Sequence, residues 1–111
     1  MKYALLIYGS PEARDAPEDE LRSVVGEYDA LLEEPAVLAG QQLQGTESAT
    51  TVRVQNGEAL LSDGPFVDAK EYLGGFLLLE ADDLDAATAM AARIPAARMG
   101  GAVEVRPIVE R

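Results

Sequence analysis

A chain of 111 residues is one domain's length, since two separate cores would each be too small to offset chain entropy. Its residues are 48% hydrophobic but only 5% aromatic, so the composition predicts an aliphatic core and excludes disorder. Twenty acidic against nine basic residues give a net charge of −11, which disfavours nucleic acid and anionic membrane surfaces, and the lack of cysteine and histidine excludes disulfides, thiolate chemistry, histidine metal sites and a Ser-His-Asp triad.

The first eight residues, Met1-Lys2-Tyr3-Ala4-Leu5-Leu6-Ile7-Tyr8, are a short apolar run that Gly9-Ser10-Pro11 breaks. This reads as a buried strand; it is too short for a secretory signal. With no apolar stretch near the ~20 residues that span a bilayer, a cytoplasmic setting is expected. Residues 10–15 read as a polar linker. Pro17 followed by Glu18, Asp19 and Glu20 starts a helix, because proline fits the first turn and acids favour the positive end of the dipole. Leu21, Val24, Val25, Tyr28, Leu31 and Leu32 then share one helical face, and Pro35 stops the helix.

Residues 37–44 read as a second strand, weakened by Gly40. Val52 and Val54 alternate with Thr51, Arg53 and Gln55, the period of a half-exposed strand. Asn56-Gly57 is a strong hairpin turn signal, so residues 58–62 form the returning strand. Residues 72–80 make another strand, whose Gly74-Gly75 pair predicts a bulge or a close backbone approach. Asp82 or Asp83 caps a second helix with the stripe Leu84, Ala87, Ala91 and Ile94, which Pro95 ends. Val103 and Val105 alternate with Glu104 and Arg106 in a last strand.

With the hairpin set aside, this order is the split βαβ pattern of a ferredoxin-like sandwich: an α+β domain with two helices on one sheet face. The strand at 72–80 carries apolar residues in both alternating sets, which favours cover on both faces. The pattern therefore predicts a homodimer with sheets face to face.

Several segments together resemble the YCII-related proteins, in the branch named for its Asp-Gly-Pro-Phe motif. They are the first eight residues, Ala49-Thr50-Thr51-Val52-Arg53-Val54, Ser62-Asp63-Gly64-Pro65-Phe66, Ala69-Lys70-Glu71, Leu73-Gly74-Gly75, Ala81-Asp82-Asp83-Leu84-Asp85-Ala86-Ala87 and Val103-Glu104-Val105-Arg106-Pro107. Any one of them is weak alone; their order and spacing along the chain make the match specific. The resemblance implies a ferredoxin-like subunit pairing as a dimeric α+β barrel. It also implies an association of some members with extracytoplasmic-function sigma factors, hence a protein partner in transcription regulation. In the wider group a histidine–aspartate pair in a cleft is the ground for expecting an enzyme; this chain has no histidine, so that pair is absent.

Each candidate site residue has a structural reading beside a chemical one. In Asp63-Gly64-Pro65-Phe66, Asp accepts local backbone hydrogen bonds, Gly and Pro set unusual and fixed φ, and Phe plugs the loop into the core. The chemical reading makes Asp63, Gly64, Pro65 and Phe66 the wall of a pocket at a barrel mouth. Lys70 and Glu71 read first as ion-pair partners of the loop, and second as a cation for an acidic ligand and a proton acceptor. Tyr8, Tyr28 and Tyr72 offer phenolic hydroxyls but usually pack their rings in a core. Arg106 pairs with an acid across the sheet or dimer interface, or holds a carboxylate. The acids Asp82, Asp83 and Asp85 lack the glycine and terminal glutamate of a calcium loop and read as helix capping, so no metal and no cofactor are expected. These features favour a small-molecule-binding or regulatory module. The alternatives are a cofactor-independent isomerase or monooxygenase-like enzyme of a small organic acid, using Asp63, Lys70 or Glu71, and a purely structural dimer.

Overall fold

Strand β1 (Lys2–Gly9) runs through the middle of the molecule and sets its two faces. Tyr3, Leu5 and Ile7 point to one side and are buried, while Ala4, Leu6 and Tyr8 point to the other and are half-buried. The computed structural model describes residues 1–10, 15–67 and 70–111; Asp68 and Ala69, and most of the expected polar linker, lie outside the described residues. After β1 come α1 (Glu18–Leu32), β2 (Val37–Gln42), β3 (Thr50–Gln55), β4 (Glu58–Asp63), β5 (Tyr72–Glu80), α2 (Leu84–Ala91) and β6 (Ala102–Pro107).

The main sheet has the order β2-β5-β1-β6 with every neighbour antiparallel, while β3 and β4 pair only with each other. This is a ferredoxin-like α+β sandwich with an inserted β-hairpin, the subunit type of the dimeric α+β barrels. Leu77 and Leu79 of β5 join Tyr3, Leu5 and Ile7 beneath the helices, and Leu31, Ala87, Ala91 and Ile94 close the core from above. As the composition predicts, that core is almost wholly aliphatic. Between β1 and β5 the register passes from Ile7–Gly75 to Tyr8–Leu73, so Gly74 is the extra residue of a bulge, as the glycine pair predicts.

Helix α1 starts after Pro17 with three acids in its first turn. Asp83 caps α2 by accepting the backbone N–H of Ala86 at 2.9 Å. Losing that cap costs about 1 kcal/mol. Denaturant unfolding of Asp83→Ala is expected to show that loss, and Asp83→Ser to recover most of it. Helix α2 stops at Ala91, short of the expected Ile94. Ile94 precedes Pro95 and is forced extended (φ −74°, ψ 126°), so it reaches the core from outside the helix. Leu84, expected on the buried stripe, is exposed in the first turn. The second strand ends at Gln42, two residues short of its expected end.

The hairpin stands apart from this body as an arm. Asn56 (φ 54°) and Gly57 (φ 78°) make its turn, both in the left-handed region that a type I′ turn requires. At its base the Thr51 hydroxyl donates to the Gly64 carbonyl and the Gly64 N–H donates to the Ala49 carbonyl, each at 2.8 Å. Gly64 itself has φ 95°, a conformation that favours glycine.

Candidate binding cleft under the first helix

Helix α1 does not lie flat on the sheet. Of its apolar stripe only Leu31 is buried; Leu21, Val25 and Leu32 remain exposed. Beneath them the sheet carries glycines instead of side chains that would fill the gap. Gly9 on β1, Gly40 on β2 and Gly74 and Gly75 on β5 all line the space between helix and sheet. The result is a cleft of about 670 Å³. It is walled by Leu21, Val24, Val25, Tyr28 and Leu32 from above and by Ile7 and Leu77 from below, with Leu43 on the segment that follows β2.

Two glycines are there for close packing. A Cβ on Gly40 would collide with the side chains of Leu77 and Leu32, and one on Gly75 would stand 2.7 Å from the Gln41 carbonyl oxygen. Gly74 differs: a Cβ there would meet nothing nearer than the Tyr72 ring at 3.7 Å and the Ile7 carbonyl at 3.8 Å, both ordinary contacts.

Polar groups are few, and most are neutral. Gln41, Gln42 and Tyr72 border the cleft, as does buried Ser10, whose hydroxyl reaches the Met99 carbonyl at 3.4 Å. Among the described residues the only charged groups lining it are the carboxylates of Asp29 and Glu47. Burial pushes the Tyr28 hydroxyl above its ordinary pKa of 10.0, against the pull of the Ala96 backbone amide and the Arg98 charge. Arg98 is itself held further protonated by its 2.5 Å contact with Glu27 on the outer side of α1. Because folding favours the protonated phenol, Tyr28's contribution is complete below pH 10 and is lost as pH climbs through its higher folded value. Stability of Tyr28→Phe is expected to fall less than wild type above pH 10, measured by denaturation across that range.

The residues singled out in the sequence are dispersed. Tyr72 lines the cleft from the sheet, and Tyr28 lines it from α1. Tyr8 lies on the opposite, bare face of the sheet. So does Arg106, which pairs with Glu104 two residues away on its own strand and not across the sheet. Asp63 ends β4 at the base of the arm and is exposed. Among the described residues no ion pair joins Asp63 to Lys70 or Glu71, both of which are exposed. Gly64 and Pro65 carry the chain away from the arm. Phe66, expected to plug into the core, is 69% exposed, and the Arg53 guanidinium stacks 4.7 Å from its ring centre. The short route from Gly64 to Phe66 keeps the ring beside the arm, where Arg53 offers a contact.

Apart from Tyr28, Tyr72 and the Gly74-Gly75 pair, the cleft lining is not picked out by the sequence. Its signals are present: an α1 stripe broader than one buried leucine needs, and glycines in facing strands. Among the described residues no cluster of metal-ligating side chains occurs, and no helix is long and apolar enough to cross a membrane.

The fold and the chain both have relatives. A dehydrochlorinase acting on 5-chloro-2-hydroxyhydroquinone, TftG of Burkholderia phenoliruptrix AC1100, solved in complex with 2,5-dihydroxybenzoquinone, is similar in structure with a TM-score of 0.58. The match covers 100% of this chain and 96% of TftG at 17% identity, which speaks for the fold alone. An uncharacterized protein of Rhizobium meliloti (strain 1021), R00369, is 34% identical over 115 residues, covering 97% of this chain and 92% of its own length. A YCII-related domain model matches residues 1–111, and the chain belongs to the YCII-related domain family.

Proposed function

We propose that this protein is a small-molecule-binding module whose ligand sits under α1 and carries no negative charge. One observation carries the reading: the cleft of about 670 Å³, apolar on both walls, with Asp29 and Glu47 as its charged lining among the described residues. Two carboxylates repel an organic anion, whereas Gln41 and Gln42 offer hydrogen bonds to a hydroxyl or carbonyl at no Coulombic cost. A compact ring with oxygen substituents fits that lining, and TftG, of the same fold, binds one.

The second reading is a cofactor-independent enzyme, which TftG's dehydrochlorinase activity favours. For an organic acid as substrate, the acidic lining is the wrong sign. We also place the chain in the Asp-Gly-Pro-Phe branch on Asp63-Gly64-Pro65-Phe66, with its expected cytoplasmic setting and a protein partner in transcription regulation. Two copies pair through the bare sheet face.

A thermal-shift screen tests the ligand class. Neutral phenols and quinols are expected to stabilise the protein and aromatic carboxylates of equal size are not. A ligand at about 100 times its Kd adds ~2.7 kcal/mol. For a domain near this size each kcal/mol moves Tm by about 4–8 °C. Equal stabilisation by carboxylates would overturn the charge argument. Mass analysis of the recovered ligand then separates the two readings, since an enzyme returns a changed compound.

A further inference from the structure

Among the described residues Ser10 is the one buried polar side chain, only 5% exposed, and it lines the cleft. Serine is mostly found at the surface, where water takes up the donor and the two acceptor positions of its hydroxyl. Here the surroundings take up little of that capacity. The Ser10 hydroxyl donates to the Met99 carbonyl at 3.4 Å, longer than the roughly 2.5–3.0 Å of an ordinary O–H···O bond. Among the described residues no donor reaches the Ser10 Oγ, so its lone pairs are unused.

The backbone around Ser10 gives that end of the cleft its shape. Ser10 follows β1, whose last residue, Gly9, pairs with Tyr72 at the start of β5. A Cβ on Gly9 would stand 3.0 Å from the Tyr72 hydroxyl oxygen and 3.1 Å from the ring carbon that bears it. The phenolic end of Tyr72 therefore lies against the Gly9 backbone. Gly9, Ser10, Tyr72 and Met99 together make one end of the cleft. The other neutral polar groups of the lining, Gln41 and Gln42, are on the edge strand β2 and exposed. Water satisfies them with or without a ligand, so they discriminate weakly. A buried hydroxyl is different: a ligand that leaves it unpaired forgoes a bond that no water replaces.

The hydroxyl's proton already points to Met99, and its lone pairs are what is free. The matching ligand group is therefore a donor, not an ether or a ketone. A ring hydroxyl donates without bringing a charge into the cleft, whereas an ammonium would have to shed its hydration there. We infer that Ser10 is the specificity-determining residue of the cleft, its Oγ accepting a hydrogen bond from a free hydroxyl on the ring of a neutral ligand. The inference rests on the cleft proposed above as the binding site and adds which end of it reads the ligand, and which substituent is read.

NMR titration of wild type and Ser10→Ala with para-cresol and with its methyl ether tests it, because the ether keeps the ring and the oxygen but has no proton to donate. Wild type is expected to bind the cresol about 10-fold more tightly than the ether, the worth of one hydrogen bond between neutral groups. Ser10→Ala is expected to bind the two alike, and to bind the ether as tightly as wild type does. Its unliganded Tm is expected at or above the wild-type value, since alanine removes a buried hydroxyl that the fold pairs poorly. Wild type without a preference for the cresol, or Ser10→Ala with the whole preference intact, would overturn the role of Ser10 and leave the cleft standing. A clear loss of stability in Ser10→Ala would show the hydroxyl to be spent on Met99, and would overturn that role as well. If neither probe binds wild type, the cleft and the inference fall together.

Discussion

Gly74→Leu is expected to fold normally and to lose the stabilisation that neutral phenols give the wild-type protein. Gly74 lines the cleft, and a Cβ there meets only ordinary contacts at 3.7 and 3.8 Å. The remaining three carbons of leucine then occupy space a ligand needs. Change at a site without clash or lost hydrogen bond costs within about 0.5 kcal/mol. The unliganded Tm is therefore expected to move by only a few degrees. The ligand-induced shift, about 10 °C or more at saturation, is expected to vanish. The neighbouring glycines make poorer tests: Gly75→Leu drives a Cβ to within 2.7 Å of the Gln41 carbonyl, and Gly40→Leu collides with Leu32 and Leu77. Those variants lose binding by distorting the sheet, which says nothing of where the ligand lies. A Gly74→Leu protein that keeps the full shift would show that the ligand binds elsewhere.

Gly74 also shows how far the sequence could be read. Paired glycines in a strand predict a bulge or a close approach, and Gly74 and Gly75 supply one each. Asn56-Gly57 predicts the turn because only left-handed φ closes it, a constraint local to two residues. Such local signals carried the element order and the ferredoxin-like topology. The cleft is not local. Helical spacing puts Leu21, Val24, Val25 and Tyr28 on one face, and it is silent on what stands opposite. Here glycines stand opposite, from strands far apart in the chain, and a stripe that reads as core becomes a cavity wall. In the sequence Tyr72 stands out only for its phenolic hydroxyl; it lines the cleft because β5 begins beside Gly9. Phe66 failed the other way. An aromatic ring after a turn reads as buried, but burial needs a reachable core, and the arm carries its root away from one.

The two faces of β1 separate stability from assembly with neighbouring residues. Leu5 is fully buried between Leu77 on β5 and Val105 on β6, under both helices. Leu5→Ala removes a core side chain with partners on every side and is expected to cost about 3 kcal/mol, within the ~2–5 kcal/mol range of such cavities. At roughly 4–8 °C per kcal/mol this lowers Tm by about 12 °C or more. For a domain whose total stability is on the order of 5–15 kcal/mol, that is a large share. Leu6 points the opposite way, onto the bare face beside Phe76 and Glu104, and is only half-buried. Leu6→Ala is expected to cost about 1 kcal/mol in the isolated subunit, where little closes over it. If two copies pair through that face, the loss grows with protein concentration, because pairing stabilises the folded state by mass action. Urea unfolding of both variants at two concentrations a hundredfold apart tells these apart. The Leu5→Ala deficit is expected to be the same at both, and the Leu6→Ala deficit larger at the higher one. A Leu6→Ala deficit independent of concentration would remove the sheet face from any account of assembly, and a Leu5→Ala deficit below about 1 kcal/mol would mean that the helices do not close over β1.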